Sequence, residues 1–128
     1  MRSLRSKVLL ASVVLATCFA VADAGTRVEE VWQCKRQDGK TTEDVQAENG
    51  KWVKFVNANV EGGDIHSFVA TSIVGDATQF VFVDSFPNME SWIATKALME
   101  TDEGQAMEAA INEVATCSSN SLYSTTES

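Results

Sequence analysis

The chain has 128 residues, enough for one domain with one core. Ten Lys and Arg stand against 18 Asp and Glu, a formal charge of −8, and so acidic a surface repels phosphate backbones and anionic lipid headgroups. Nucleic acid is therefore not an expected partner, and the acidity reads as a solubility feature of a protein working outside the cytoplasm.

The first 24 residues read as a signal peptide. Arg2, Arg5 and Lys7 form a basic region, Val8–Leu15 an apolar one, and Ala22-Asp23-Ala24 places small residues where signal peptidase needs them. Ala20-Val21-Ala22 offers an alternative cut. The apolar run is interrupted by Ser12, Thr17 and Cys18, which argues against a membrane anchor. Leu15–Cys18 also resembles a bacterial lipoprotein site, though Thr17 is a poor residue before the cysteine. Cleavage after Ala24 leaves residues 25–128 as a single domain, secreted or periplasmic, with no membrane association. It leaves 7 Lys and Arg against 17 Asp and Glu. It also removes Cys18, so that Cys34 and Cys117 remain as an even pair. In an oxidising compartment a disulfide is the leading reading of that pair.

Arg27–Lys35 interleaves Val28, Trp32 and Cys34 with polar residues and reads as a first strand. Gln37–Lys40 is a turn. Thr41 or Thr42 then caps a helix that carries Glu43 and Asp44 in its first turn and runs to about Asn59. Val45, Trp52, Val53 and Val56 mark its apolar face. Glu61–Asp64 breaks the chain. Ile65–Val74 is predicted as a second strand, turned at Gly75-Asp76 into a third over Thr78–Phe86. Pro87 ends the third strand and Asn88 caps a helix with Met89, Trp92, Ile93 and Leu98. Thr101–Gly104 interrupts that helix, and a further amphipathic run follows through Met107, Ile111 and Val114. Cys117–Thr126, rich in Ser and Thr, is predicted as a short edge strand.

The resulting order, β-α-β-β-α-β, matches the ferredoxin-like α+β arrangement of a four-stranded antiparallel sheet with helices on one face. In that topology the last strand runs antiparallel beside the first, which brings Cys117 to Cys34. Two cysteines and a single histidine offer no zinc-type spacing, so neither a metal nor a cofactor is expected.

At Phe82-Val-Asp84-Ser-Phe86-Pro-Asn88 the chain resembles the dimeric α/β-barrel superfamily, especially antibiotic-biosynthesis-monooxygenase-like domains. These often close the third strand with an acid, an aromatic two residues on, and an Asp or Asn opening a helix. The resemblance implies a homodimer whose two sheets face each other as a barrel. It suggests an activity among cofactor-independent monooxygenases and isomerases. The Asn, Trp and His pattern of the haem-degrading members is absent, and Ile93–Lys96 stands where a histidine-bearing helix segment often follows. The apolar pattern of the third strand also favours the dimer. Phe80, Phe82 and Phe86 have one parity and Val81 and Val83 the other, so the third strand is apolar on both faces and the sheet needs a second cover.

Asp84 is an acid inside an apolar strand and a candidate catalytic base or ligand-holding group; a capping or surface-pairing role is the alternative. His66, the lone histidine, is the other candidate base, with an exposed, hydrogen-bonded side chain as the bland reading. A two- or four-residue hairpin loop puts His66 and Asp84 on opposite faces of the sheet, which argues against a dyad. Trp32 and Phe82 are candidate ligand-binding residues on the strands, whereas Trp52 and Trp92 lie at helical spacing and read as core. The leading functional expectation is an exported homodimer binding a small apolar ligand in its barrel. The alternatives are a cofactor-independent enzyme and an interaction protein with a filled barrel.

Overall fold

The computed structural model describes residues 25–128; the expected signal peptide, and Cys18 with it, lies outside them. The elements are β1 (Thr26–Arg36), α1 (Thr42–Asn59), β2 (His66–Thr71), β3 (Gln79–Phe86), α2 (Met89–Met99), α3 (Asp102–Val114) and β4 (Ala115–Thr126). The four strands form one antiparallel sheet in the order β2-β3-β1-β4, a ferredoxin-like α+β fold. Among the described residues no helix is long and apolar enough to cross a membrane.

Each helix starts where a side chain can take up the free amides of its first turn. Thr41 accepts from the Asp44 amide while Asp44 returns a bond to the Thr41 amide, a reciprocal box that fixes the start of α1. Asn88 accepts from Ser91 at 2.8 Å and opens α2. Thr101 accepts from Gly104 at 3.1 Å and opens α3. Gly104 is required there: a Cβ on it would collide with the Leu98 carbonyl oxygen and the Met99 backbone.

Register sorts the sheet into two faces. Val28, Glu30, Trp32 and Cys34 on β1 pair with Phe86, Asp84, Phe82 and Phe80 on β3, and this side meets the helices. One core cluster joins Cys34, Phe80 and Phe82 to Val45, Val114 and Ala115; a second joins Ile65 and Phe86 to Trp52, Val56 and Val60. The opposite face carries Val31, Val81, Val83 and Phe68, with Phe68 57% exposed. Cys34 and Cys117 are partners in the β1–β4 register and are joined by a disulfide.

Two boundaries differ from expectation. The second strand stops at Thr71, and Ser72–Thr78 forms the loop, where Ile73 and Val74 are 97% and 91% exposed. The apolar side chains of Ile73 and Val74 mimic strand, but Gly75 turns the chain at φ 108° and Asp76 accepts from the Thr78 amide and hydroxyl. The last strand is not short. It spans twelve residues because β1 offers a pairing partner along almost its whole length, interrupted by one register shift that leaves Ser118 unpaired.

Candidate functional site

Asp84 is the centre of a polar patch embedded between sheet and helices. Its place follows from register: it shares the helix-facing side with Phe82 and Phe86, so its carboxyl is carried inward and is only 7% exposed. Ser67, its partner on β2, donates to Asp84 Oδ1 at 2.5 Å. Asn49 lies on the buried stripe of α1 with Val45, Trp52 and Val56, and its Nδ2 donates to Ser67 Oγ at 3.0 Å. The three side chains thus form a chain of hydrogen bonds from helix to sheet.

On the other flank stands Glu30, the β1 partner of Asp84, 2% exposed. Its Oε1 is paired with Lys96 of α2, and its Oε2 accepts from Asn120 of β4 at 2.9 Å. A buried carboxylate persists only when its lone pairs are met in this way. The Lys96 ammonium also lies 5.0 Å from the Trp32 ring and 5.6 Å from that of Trp92, distances at which the ring faces attract a cation. The Trp92 indole N–H is buried with no hydrogen-bond partner.

Burial pushes the Asp84 carboxyl up to about 7. The Ser67 hydroxyl opposes that shift, the neighbouring Glu30 adds to it, and Lys96 opposes it. The group therefore changes charge near neutral pH, the range that suits a general acid or base, and its carboxyl is held by Ser67.

A cleft of about 510 Å³ runs between α1 and β2, lined by Gln46, Asn49, Gly50, Val53 and Lys54 on one side and Ser67, Phe68 and Val69 on the other. Asn49 and Ser67 belong to its wall, so the hydrogen-bonded chain leads from the cleft to the buried carboxyl. The cleft lies along the edge of the sheet on its helix side, not between two sheet faces where a barrel would enclose a ligand.

The sequence-predicted residues separate into two places. Asp84, Trp32 and Phe82 share the helix-facing side. Phe82 is buried in the core, its ring 4.9 Å from that of Phe80, and Trp32 is half-buried beside Lys96. His66 lies on the opposite face, partner to Ser85, with its side chain 55% exposed and Nε2 2.9 Å from Asp64 Oδ1. Asp64 also holds Arg27, and these two contacts keep its carboxyl below the usual range. His66 and Asp84 form no dyad. Among the described residues no three His, Cys, Asp or Glu side chains converge as a metal set. Glu30, Asn49, Ser67 and Lys96 were not singled out from sequence. Glu30 shares its parity with Val28, Trp32 and Cys34, and Asn49 falls on the apolar stripe of its helix, so each carried a signal.

No protein-family model matches the chain, and no curated protein matches it by sequence. Solved structures do. SnoaB, a cofactor-independent oxygenase from Streptomyces nogalater, superposes with a TM-score of 0.57 at 9% identity, over 76% of this chain and 90% of that one. A protein of Caulobacter crescentus CB15, provisionally described as an antibiotic biosynthesis monooxygenase, superposes with a TM-score of 0.54 at 16% identity, over 78% and 88%. At these identities the likeness is one of fold: the chain has the ferredoxin-like architecture found in antibiotic-biosynthesis-monooxygenase-like proteins.

Proposed function

We propose that this chain is a small exported protein that works as a homodimer and binds a small, mainly apolar ligand in the α1–β2 cleft. The observation that carries the reading is the chain Asn49–Ser67–Asp84, which connects the cleft wall to a buried carboxyl. Val53 and Val69 supply apolar contact, while Asn49 and Ser67 orient a polar group of the ligand, the usual division of labour in a binding cleft. Trp32 and Phe82, the ligand-binding candidates from sequence, are not among the residues that line this cleft. The leader expected from the sequence and the paired cysteines support export.

The test is titration with 8-anilinonaphthalene-1-sulfonate, a fluorophore with an apolar aromatic body and one anionic sulfonate. Gly50→Phe fills the cleft from a helix position where a Cβ meets nothing within 4 Å. The variant is expected to lower affinity about tenfold or more, on the order of 1.4 kcal/mol. Unchanged binding in that variant would sink the reading.

A second reading is favoured by the position of Asp84 near pH 7. It is a cofactor-independent enzyme in which ionised Asp84, acting through Ser67, takes a proton from an activated C–H or O–H of the ligand. Deuterium exchange into a β-dicarbonyl probe is then expected to accelerate as pH rises through about 7 and to vanish in Asp84→Asn. Exchange that persists in that variant removes Asp84 from the chemistry.

A further inference from the structure

The hydrogen-bonded chain at the cleft holds more acceptors than its one hydroxyl proton can serve. Ser67 Oγ lies 2.5 Å from Asp84 Oδ1 and 3.2 Å from Asn49 Oδ1, and either oxygen can take its proton. It also lies 3.0 Å from Asn49 Nδ2, from which it can accept. A serine hydroxyl has one proton, and an amide sets an oxygen that only accepts beside a nitrogen that only donates. Ser67 therefore faces both ends of the Asn49 amide, and the direction of its proton decides which end it engages. Only the hydroxyl has to rotate.

Asp84 sets that direction. An ionised carboxyl only accepts, so Ser67 donates to it and takes its own bond from Asn49 Nδ2; Asn49 Oδ1 then receives nothing from Ser67. Once the carboxyl takes a proton from solvent, its O–H needs an acceptor. The Trp32 indole favours the ionised form and can only donate, and the oxygens of Glu30 are met by Lys96 and Asn120. Ser67 Oγ is the acceptor at hand. Its own proton turns to Asn49 Oδ1, and Nδ2 is released. Glu30 on β1 and Lys96 on α2 are the charged groups whose fields reach Asp84, and they act in opposite senses. On β2 and α1 the facing groups are Ser67 and Asn49, neither of which titrates, while His66 lies on the other side of the sheet. All these side chains lie between a chain's own helices and its own sheet, so the exchange is complete within one subunit.

Asn49 and Ser67 both belong to the cleft wall, so the half of the amide that Ser67 leaves unengaged is what a ligand meets. Resting on the cleft as the binding site, we propose that Ser67 relays the protonation state of Asp84 to the ligand: the cleft selects an apolar ligand bearing a carbonyl when the carboxyl is neutral, and one bearing an O–H or N–H donor when it is ionised. Burial places the change near neutral pH, so the preferred ligand chemistry inverts there.

The experiment titrates the full chain with 2-acetylnaphthalene, which only accepts, and with 2-methylindole, which only donates. Calorimetry is run at about pH 5.5 and about pH 8.5, on either side of the Asp84 transition. Both probes are uncharged throughout, so Lys54 on the cleft wall does not distinguish them. The ketone is expected to bind about fivefold tighter at the lower pH and the indole about fivefold tighter at the higher, the scale of one hydrogen bond. Ser67→Ala, which keeps the carboxyl and cuts the relay, should make each probe's affinity the same at both pH values. In the parent without ligand, the NMR signals of the Asn49 side-chain amide should move with the same transition. Probes that shift in the same sense, a pH dependence that survives Ser67→Ala, or Asn49 signals that stay fixed would each overturn the proposal. If both probes bind equally at the two pH values, only this inference falls; if neither binds at either pH, the cleft reading falls with it.

Discussion

At the residue scale, Asp84 is a buried carboxyl whose charged form the fold disfavours. Its folded position, about 7, lies above the ordinary carboxylate value of 3.8. The folded state therefore holds a proton that the unfolded chain releases between those two values. The stability contributed by the neutral form is complete below about pH 4 and is lost as pH rises to about 7. The whole shift corresponds to something on the order of 4 kcal/mol. Asp84→Asn keeps the shape and removes the titration, so the variant is expected to gain on the parent by a few kcal/mol between pH 4 and pH 8. Urea unfolding at both pH values measures it, and a constant difference between the two proteins would contradict it. The comparison must be made as a difference, because Asp64 and Asp76 act in the opposite sense. Hydrogen bonds and nearby cations hold their carboxyls low, and what they contribute is lost on acidification.

The same scale shows what sequence reveals about a site. Asp84 was legible because it interrupts an apolar run; its separation from His66 holds in the observed register, although the connecting loop is Ser72–Thr78 and not the two or four residues expected. Glu30 was harder to see. It follows Glu29 in a polar-looking stretch, and only parity with Trp32 and Cys34 marks it as inward-facing. Lys96 could not be found at all from local pattern. Its importance comes from Glu30, 66 positions away, and from two indoles that meet only in the folded chain.

At the scale of elements, two glycines in helices predict opposite outcomes for one substitution. A Cβ at Gly104 would collide with the backbone of Leu98 and Met99, which cannot move aside without breaking the α2–α3 junction. Gly104→Ala is expected to cost roughly 1–3 kcal/mol, the range for overpacking. At Gly50 a Cβ meets nothing within 4 Å, so Gly50→Ala should stabilise α1 by up to about 1 kcal/mol. Urea midpoints at constant slope measure both. The element boundaries were legible wherever a cap or a breaker marked them, as at Thr41, Asn88 and Thr101. They were misleading at Ile73 and Val74, where β-branched apolar residues sit in a turn whose geometry is set by Gly75 and Asp76.

The disulfide acts on the element with the least packing of its own. β4 is mostly exposed and carries few apolar side chains, so its attachment depends on the β1 ladder and on the Cys34–Cys117 bridge. The bridge spans 83 positions, and in the chain-entropy model closing so long a loop contributes about 4–5 kcal/mol, an upper figure. Reduction is therefore expected to lower the unfolding midpoint markedly and to raise amide exchange in β4 before it rises in β3. Equal exchange in the two strands after reduction would show that the ladder alone holds β4.

At the scale of the molecule, the sheet has one face under helices and one without. On the second face Phe68, Val83 and Val31 stand opposite one another across β2, β3 and β1, an apolar row. A neighbouring row, His66, Ser85, Glu29 and Tyr123, is largely polar and is tied by Arg27 to Asp64 and Ser85. An apolar centre with a polar margin is the anatomy of a protein interface, and a second copy of the chain, presenting the same row about a two-fold axis, is self-complementary to it. Val83 is central to that row and points away from the core, so Val83→Glu should leave the fold intact and place two carboxylates against each other across the interface. The expected result is a dimer for the parent at micromolar concentration by native mass spectrometry and a monomer for the variant, with the same circular dichroism spectrum. Val31→Glu, on the neighbouring strand, is expected to act alike. A parent chain that is monomeric at that concentration, or variants that remain dimeric, would move the interface off this face and leave the edge of β2 or β4 as the surface to examine.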